Sequence, residues 1–354
     1  MSLLTLEYYF LSLLQDLTSP NFLVNSVTVL QYTRVILVLR NILRNLRRGA
    51  VITLRGIYYN CAHVCQSQRD SDQIIIDITQ KTKLSRKKLL ISTCPKALIK
   101  GHLTLSEIFN HNQIIHSNCD NTLQGNGIAF SSICDFDIQF PYTTLNYLLI
   151  VEKETVYHRL LKFGLLEKHK PCAIVLCRGF PDHSTRELVY KIYQKAENQF
   201  PFIILTDFNP SGLIISLNFH KTPRTTSYYV EDCGIENLYW MCLSSSEKIS
   251  GIKSILTSRD LKIIQNLIQL EPENTIYDPK SGNSRENTSE KWNLRPDLVH
   301  IKNSREILEK FISEGFTYQL DDFDTLELLV THSLDTLVNT FLNTLDDSTA
   351  LQTV

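Results

Sequence analysis

Three short, fully apolar segments in the second half of the chain constrain its fold more than any other feature. They lie at residues 147–151, 172–176 and 202–205, with helical patterns between them at 155–166 and 184–199. Strands that are apolar on both faces and alternate with helices are typical of a parallel sheet covered by helices on both sides. The pattern therefore predicts an α/β unit built on a Rossmann-like parallel sheet.

The first part of the chain is mainly helical. Apolar periodicity predicts helices over residues 3–17, 26–48, 53–66 and 70–80. Gly49 suits the end of the second helix, and Thr53 can cap the third. A basic turn at 86–88 is followed by two short strands, 89–92 and 97–103, which we expect to form a small hairpin. Helices followed by a hairpin predict a winged helix (CAP-like) unit.

These patterns divide the chain, which is α+β overall, into three parts. Residues 1–25 hold an N-terminal helix that is apolar nearly all round, so we expect it to be buried in its own protein or to bind a partner. The winged-helix unit occupies 26–141, where residues 104–141 look irregular, and the α/β unit occupies 142–354. Within the last part, 271–296 is predicted to be a polar surface insertion, and a helix returns over 304–342.

The charge of the chain is unevenly distributed. All 354 residues together carry a net charge of −1, but the 14 basic residues of the first 150 all lie between Arg34 and Lys100, where only three acidic residues oppose them. Such a basic module on a near-neutral chain indicates binding to a polyanion. Arg44, Arg47 and Arg48 share one face of the second helix, which is either a solvated face or a stripe that follows phosphates.

Several classes of protein are not expected. No apolar run approaches the ~18 residues of a membrane span, and the N-terminus lacks the basic region of a signal peptide. The nine cysteines are odd in number and scattered, which favours reduced thiols in an intracellular protein. The two glycine-rich nucleotide-binding patterns are missing, so we do not expect this chain to bind ATP through either.

Two acidic residues follow the apolar segments. Glu152 comes directly after the first predicted strand, and Asp207 follows the third. Functional groups of open α/β sheets gather beyond the carboxyl ends of the strands. Two carboxylates there would suit Mg²⁺; the alternative is a pair of solvated or helix-capping acids.

Arg55 and Tyr59 are four residues apart on the third predicted helix, so their side chains share a face. A tyrosine hydroxyl beside an arginine can attack a phosphate, because the guanidinium neutralises charge on the phosphoryl oxygens. The chain holds 15 tyrosines, and packing is the alternative role for Tyr59. Tyr58 is expected to point about 100° away, towards the packed side.

Six segments, in order along residues 28–330, resemble one family. They are 55–59 (Arg-Gly-Ile-Tyr-Tyr), 84–89 with 95–98, 150–157 (beginning Ile-Val-Glu-Lys-Glu), 178–186 (beginning Arg-Gly-Phe-Pro-Asp) and 207–212 (Asp-Phe-Asn-Pro-Ser-Gly). The set is similar to the type IIB topoisomerase (topoisomerase VI) A-type subunits. It is most similar to that family's eukaryotic member, the meiotic double-strand-break transesterase.

The resemblance implies a winged helix followed by a TOPRIM domain, acting on double-stranded DNA in the nucleus. Tyr59 would attack the DNA backbone and stay linked to the 5′ phosphate, with Arg55 stabilising the transferring group. Glu152, Asp207 and Asn209 would form the Mg²⁺ site. A homodimer would cut both strands, ATP would belong to a separate B-type subunit, and other meiotic break proteins would take part. Basic residues expected to contact DNA are Arg44, Arg47, Arg48, Arg86, Lys87, Lys88, Lys96, Lys100 and Arg178.

Three residues depart from the family pattern. Gly56 stands where the family has an acid, Arg178 where it has a lysine, and Asn209 where it has the second aspartate of the metal motif. Gly56 and Asn209 motivate one alternative, a DNA-binding scaffold subunit with weak activity. A topoisomerase subunit that reseals its breaks would use the same chemistry and is a second alternative. An unrelated phosphatase-like or nuclease enzyme that uses only the acidic site is a third, and it leaves Arg55, Tyr59 and the basic module without a role.

Overall fold

The structure is a computed structural model, and its buried side chains form an N-terminal core and a larger C-terminal core. The residues that it describes are 2–17, 26–92, 96–108, 114–120, 125–130, 135–141, 144–220, 233–243, 254–268, 301–302 and 304–351. The predicted insertion at 271–296 lies outside the described residues. In the part of the chain that is described, no helix has both the length and the apolar character of a membrane span.

Four helices form the N-terminal unit and confirm the predicted helical pattern. They are α1 (Ser2–Leu17), α2 (Ser26–Arg48), α3 (Leu54–Cys61) and α4 (Gln68–Thr82). Gly49 follows α2 with a φ of 62°, a left-handed conformation that glycine adopts without strain. Thr53 caps α3, its side chain accepting the N–H of Gly56 at 3.0 Å. The third helix is shorter than predicted, because the chain turns at residues 62–64.

The predicted hairpin after the basic turn is wrong. Strand β2 (Ile91–Ser92) pairs in parallel with β1 (Ile52–Thr53). Strand β3 (Leu98–Gly101) instead joins the large sheet, antiparallel to β9 (Ala173–Leu176). Glycine is needed where β3 ends, because a Cβ at Gly101 would lie 2.5 Å from a backbone carbonyl oxygen. A winged helix at the N-terminus therefore stays a prediction.

The central sheet of the second half confirms the predicted parallel architecture. Strands β8 (Leu148–Val151), β9, β10 (Phe202–Leu205), β11 (Leu238–Met241) and β13 (Ile301–Lys302) run parallel, and β3 and β6 (Ile128–Ala129) extend one edge antiparallel. The order across the sheet is β13-β11-β10-β8-β9-β3-β6. Helices α5 (Glu154–Lys162), α6 (Leu165–Lys168), α7 (His183–Ala196) and α8 (Pro210–His220) connect the parallel strands.

Where residues 104–141 are described, they include regular strands, contrary to the irregular structure expected from their composition. They contain a three-stranded antiparallel sheet of β5 (Ile114–Asn118), β4 (Thr104–Ile108) and β7 (Asp135–Gln139), in that spatial order. Because β3 and β6 also lie before residue 141, the large sheet does not begin at the boundary of 141 and 142 that the sequence suggested.

The C-terminal part contributes buried side chains to the larger core. It comprises β12 (Ser254–Ile255), α9 (Ser258–Ile268), α10 (Ser304–Glu314), β14 (Phe316–Thr317) and α11 (Leu326–Leu351). The single helix expected over 304–342 is interrupted at Gly315, by β14 and by a short 3-10 turn at Leu320–Asp322. This turn brings its backbone to the acidic residues described below.

Candidate active site

Helix α3 presents one tyrosine to solvent and turns the other inwards. Tyr59 is 68% exposed, and Arg55, one turn earlier, is exposed too. Tyr58 packs against the N-terminal core, in which Cys61 is fully buried. The two tyrosine rings lie 5.7 Å apart. Of the two, Tyr59 is the more exposed side chain.

Gly56 lies between Arg55 and the two tyrosines, close to the helix cap. A Cβ at this position would lie 3.1 Å from Ile52 Cγ1 and 3.2 Å from Thr53 Oγ1. The acidic residue that the family pattern places here would therefore push on the capping side chain. Because glycine stands at position 56, no carboxylate directly follows Arg55 in the sequence.

Glu152 and Asp207 meet at the carboxyl ends of two neighbouring strands. Val151 of β8 pairs with Leu205 of β10, and each strand end leads into one of the two acids. The N–H of Asp207 donates to Glu152 Oε2 at 3.4 Å. Burial raises the pKa of Glu152 above its ordinary value, and the negative charge of Asp207 raises it further. A cation placed between the two carboxylates would relieve this repulsion.

Both oxygens of the buried Asp207 carboxylate have partners. The N–H of Leu320 donates to Oδ1 at 2.8 Å, and the ammonium of Lys153 lies 2.9 Å from Oδ2. Burial raises the pKa of Asp207, although these two donors act in the opposite direction. The same ammonium lies 2.9 Å from Asp321 Oδ2. The acidic site therefore already holds a cation that belongs to the chain.

Asn209 has a structural role in this arrangement. Its Oδ1 accepts the N–H of Gly212 at 2.8 Å, which caps the first turn of α8. The amide oxygen is thus used by the helix. Over the described residues, no group of three or more His, Cys, Asp or Glu side chains is arranged to hold a metal ion. The donors that fit Mg²⁺ best are the carboxylates of Glu152 and Asp207, of which Asp207 already binds an ammonium.

The arginines expected to contact DNA on α2 differ in their surroundings. Arg44 and Arg48 are exposed on the surface of the helix. Arg47 is also exposed, but its Nη2 lies 2.8 Å from Glu7 of α1. Of these three arginines, Arg47 is therefore already paired with a carboxylate.

The three basic side chains of the turn after α4 differ in exposure and in ion pairing. Lys88 is exposed, whereas Arg86 is half-buried. The Lys87 ammonium forms an ion pair with Asp135 and lies 3.8 Å from Glu187. Lys87 thus links the basic turn to β7 and α7.

The remaining residues expected to contact DNA lie at β3 or next to β3 and β9 in the sequence. Lys96 is exposed, and Lys100 is half-buried, donating to the carbonyl of Gly125 at 3.0 Å. Arg178 donates to both carboxylate oxygens of Glu154, at 3.0 and 2.8 Å, and to the carbonyl of Lys96 at 3.1 Å. This pairing lowers the pKa of Glu154. Arg178 therefore connects the segment before β3 to the start of α5.

Two family models match the chain. The model for the Toprim domain of the topoisomerase 6 A-type subunit and Spo11 matches residues 147–323, which is half of the 354 residues. The chain belongs to the topoisomerase 6A/Spo11 family. A second model, Type IIB DNA topoisomerase, matches residues 31–91 and so covers α3 with Arg55 and Tyr59. The α/β unit of this family member is therefore a Toprim domain, and the family is one of type II topoisomerase-like enzymes.

Similar proteins come from archaea and from animals. The A-type subunit of type 2 DNA topoisomerase 6 from Hyperthermus butylicus is 27% identical over 314 residues, which cover 83% of this chain and 77% of that protein. Meiotic recombination protein SPO11 of Homo sapiens is 27% identical over 217 residues, 61% of this chain and 52% of that protein. Meiotic recombination protein W68 of Drosophila melanogaster is 28% identical over 233 residues, which cover 64% of this chain and 67% of that protein.

The sequence reasoning missed Lys153, Thr155 and Asp321. Lys153 and Thr155 lie in the segment 150–157 that resembles the family, and their position directly after a strand-end acid was the available signal. Asp321 lies 168 residues beyond Lys153, in a segment that the helical pattern assigned to a single helix. No spacing rule connects residues that far apart.

Proposed function

We propose that this chain is a DNA-cleaving transesterase that makes the double-strand breaks which start meiotic recombination. The observation that carries the proposal is a pair of acidic residues at adjacent Toprim strand ends in a chain that also exposes Tyr59 one turn from Arg55. The first group suits a cation that binds a phosphate, and the second suits attack on that phosphate.

The chemistry assigned to Tyr59 is a group transfer with no net redox change. Its hydroxyl oxygen forms a bond to the phosphorus of the DNA backbone, and the bond from phosphorus to the 3′ oxygen breaks. The phenolic proton ends on the new 3′-hydroxyl group. The guanidinium of Arg55 would neutralise the phosphoryl oxygens as negative charge develops on them.

Glu152 and Asp207 would hold Mg²⁺, which when bound supplies positive charge to the scissile phosphate. The register of β8 and β10 brings the two residues close together, and the N–H of Leu320 donates to Asp207 Oδ1. In the proposed homodimer, Tyr59 of each protomer faces the acidic pair of the other, so that both strands are cut. Asn209 contributes by capping the helix that follows Asp207.

The proposed partners are duplex DNA, a B-type subunit that binds ATP, and other meiotic break proteins, all in the nucleus. Helix α1 offers a surface for the B-type subunit. Leu4, Tyr8 and Leu11 are 71%, 78% and 55% exposed on one side of α1, while Leu6 and Leu13 are buried in the N-terminal core on the other. One face of α1 therefore packs within its own protein, and the proposal assigns the exposed face to the partner.

A variant with serine at Leu4, Tyr8 and Leu11 tests this surface. It should keep its fold and its DNA binding but no longer co-purify with the B-type subunit. Deleting residues 1–18 is the poorer test, because it also removes Leu6 and Leu13 from the core. Undiminished co-purification of the serine variant would place the interface elsewhere.

A catalytically weak scaffold subunit is the second candidate function. Gly56 removes an acid beside the expected nucleophile, and the oxygen of Asn209 is used by a helix cap. A resealing topoisomerase of the same A type would use the same residues as the break-making enzyme and differ in the fate of the covalent intermediate.

The deciding experiment compares Tyr59→Phe with Tyr58→Phe in meiotic cells. Denaturing immunoprecipitation followed by end-labelling detects DNA that is covalently attached to the chain. Tyr59→Phe should lose this signal and keep its DNA affinity, because only an exposed hydroxyl is removed. Tyr58→Phe, the matched control, should keep at least part of it.

The possible results separate the candidates. Signal that persists in Tyr59→Phe would overturn the assignment of the nucleophile. No covalent DNA in the wild type, with normal DNA binding, would favour the scaffold. A covalent link between the chain and DNA that is later broken to restore an intact duplex would favour the resealing enzyme.

A further inference from the structure

The ammonium of Lys153 lies between two carboxylates at the acidic site. Its Nζ is 2.9 Å from Asp207 Oδ2 and 2.9 Å from Asp321 Oδ2, with Gln319 Oε1 at 3.5 Å. Lys153 directly follows Glu152, so the strand end that supplies one acid also supplies this cation. The proposed metal ligand Asp207 therefore has an internal counter-ion.

Asp321 is held near Asp207 by a hydrogen bond and by the turn to which it belongs. Its Oδ1 accepts the hydroxyl of Thr155 at 2.5 Å, and it belongs to the short turn Leu320–Asp322. The N–H of Leu320, in the same turn, donates to Asp207 Oδ1 at 2.8 Å. One turn thus fixes the orientation of Asp207 and presents a second carboxylate to Lys153.

The turn is itself anchored to α5 and α11. Arg159 donates from Nε to Glu327 Oε1 at 2.8 Å and from Nη2 to the carbonyl of Phe323 at 2.9 Å. The distance between Asp207 and Asp321 is therefore set by packed elements. An ammonium that leaves Asp207 Oδ2 finds Asp321 already in position.

We propose that Lys153 competes with a divalent cation for Asp207, and that Asp321 is a positioning residue that retains the ammonium when the cation binds. This inference rests on the proposed metal-dependent function and deepens it. A divalent cation beside Asp207 repels a neighbouring ammonium, so loading requires Lys153 to give up its contact with Asp207 and to keep the one with Asp321. Asp321 acts through Lys153 and needs no direct bond to the cation.

The test is isothermal titration of Mg²⁺ alone into the full chain without DNA. Lys153→Met keeps the length of the side chain and removes the competing charge, so it should tighten Mg²⁺ binding about tenfold. Asp321→Asn should weaken Mg²⁺ binding. Of its two carboxylate partners Lys153 then keeps only Asp207, so its ammonium is harder to displace from the metal site. Lys153→Gln is a second variant, should the methionine variant fail to fold.

The double variant distinguishes positioning from direct ligation. If Asp321 acts through Lys153, Asp321→Asn should change Mg²⁺ affinity little in the Lys153→Met background. An undiminished loss in that background would show that Asp321 acts on the cation itself, and would overturn the proposal. Unchanged affinity in both Lys153 variants would also overturn it.

Glu152→Gln separates this inference from the proposed function. If Mg²⁺ binding is weakened by Glu152→Gln but unchanged in the Lys153 variants, the proposed metal site is supported and the proposed competition by Lys153 is contradicted. Binding in the wild type that is indifferent to Glu152 means that the site itself is misplaced. Mg²⁺ binding that is absent in the wild type and in both Lys153 variants contradicts both ideas.

Discussion

Gly212 lies where the start of α8 passes closest to the strand end that carries Asp207. A Cβ at position 212 would lie 2.3 Å from Thr206 Oγ1 and 2.8 Å from the carbonyl oxygen of Asp207. Thr206 is fully buried, and its Oγ1 donates to that carbonyl at 3.1 Å and accepts the indole N–H of Trp240 at 2.9 Å. Neither neighbour can move away without breaking a buried hydrogen bond.

Gly212→Ala should therefore destabilise the protein despite the higher helix propensity of alanine. The propensity favours alanine by about 1 kcal/mol, overpacking costs about 1–3 kcal/mol, and loss of the Thr206–Trp240 hydrogen bond costs about 1 kcal/mol. We expect the free energy of unfolding to fall by about 1–3 kcal/mol in total. Urea unfolding followed by tryptophan fluorescence measures it, because Trp240 is buried beside the substitution.

Gly125→Ala is the matched control for the same chemical change. A Cβ at Gly125 would meet no heavy atom within 4 Å, so its unfolding midpoint should stay near that of the wild type. A Gly212→Ala protein as stable as the wild type, or more stable, would show that α8 can move away from Thr206. The close approach would then not be the reason for glycine at this position.

Three further predictions concern the acidic site and the DNA-binding surface. Asn209→Ala should lower the free energy of unfolding by about 1 kcal/mol in urea, because Gly212 loses its cap acceptor; Asn209→Asp should keep the cap and tighten Mg²⁺ binding, and an unmoved Mg²⁺ midpoint would exclude position 209 from the metal site. Lys88→Ala should flatten the slope of log K for DNA against log salt by about 0.9, and Lys87→Ala by less, because a carboxylate already neutralises Lys87; equal changes would contradict this. Burial raises the pKa of Glu152 on folding, so the folded protein takes up a proton there before the unfolded chain does. The metal-free wild type should therefore gain stability relative to Glu152→Gln as the pH falls from 7 towards that raised pKa. A difference in unfolding midpoint between the two proteins that is independent of pH would contradict the burial of this charge.

The sequence predicted the centre of the large sheet well and its edge poorly. β8, β9 and β10 are buried on both faces, so each is a continuous apolar run that periodicity detects. β3 and β6 are short antiparallel additions whose pairing depends on distant strands. The alternation in Asp135–Gln139, exposed and buried in turn, was a usable strand signal that the polar composition of its surroundings concealed.

The candidate site shows the same division between local and distant information. Glu152 and Asp207 were found because strand ends of a parallel sheet share an edge, a rule that needs only the order of elements. The orientation of Tyr59 away from Tyr58 follows from helical spacing alone. The ammonium of Lys153 and the turn that carries Asp321 depend on tertiary packing, which one sequence does not encode in any periodic pattern.

The pairing of β3 with β9 has a practical consequence for anyone who divides this chain. A fragment that begins at residue 142 would contain every parallel strand of the Toprim sheet but would lack β3 and β6. Strand β9, whose four residues are all apolar and buried, would then become an open edge. Exposed apolar edges of this kind pair with other chains and lead to aggregation. A soluble Toprim fragment should therefore start before Leu98, although the matched Toprim model starts only at residue 147.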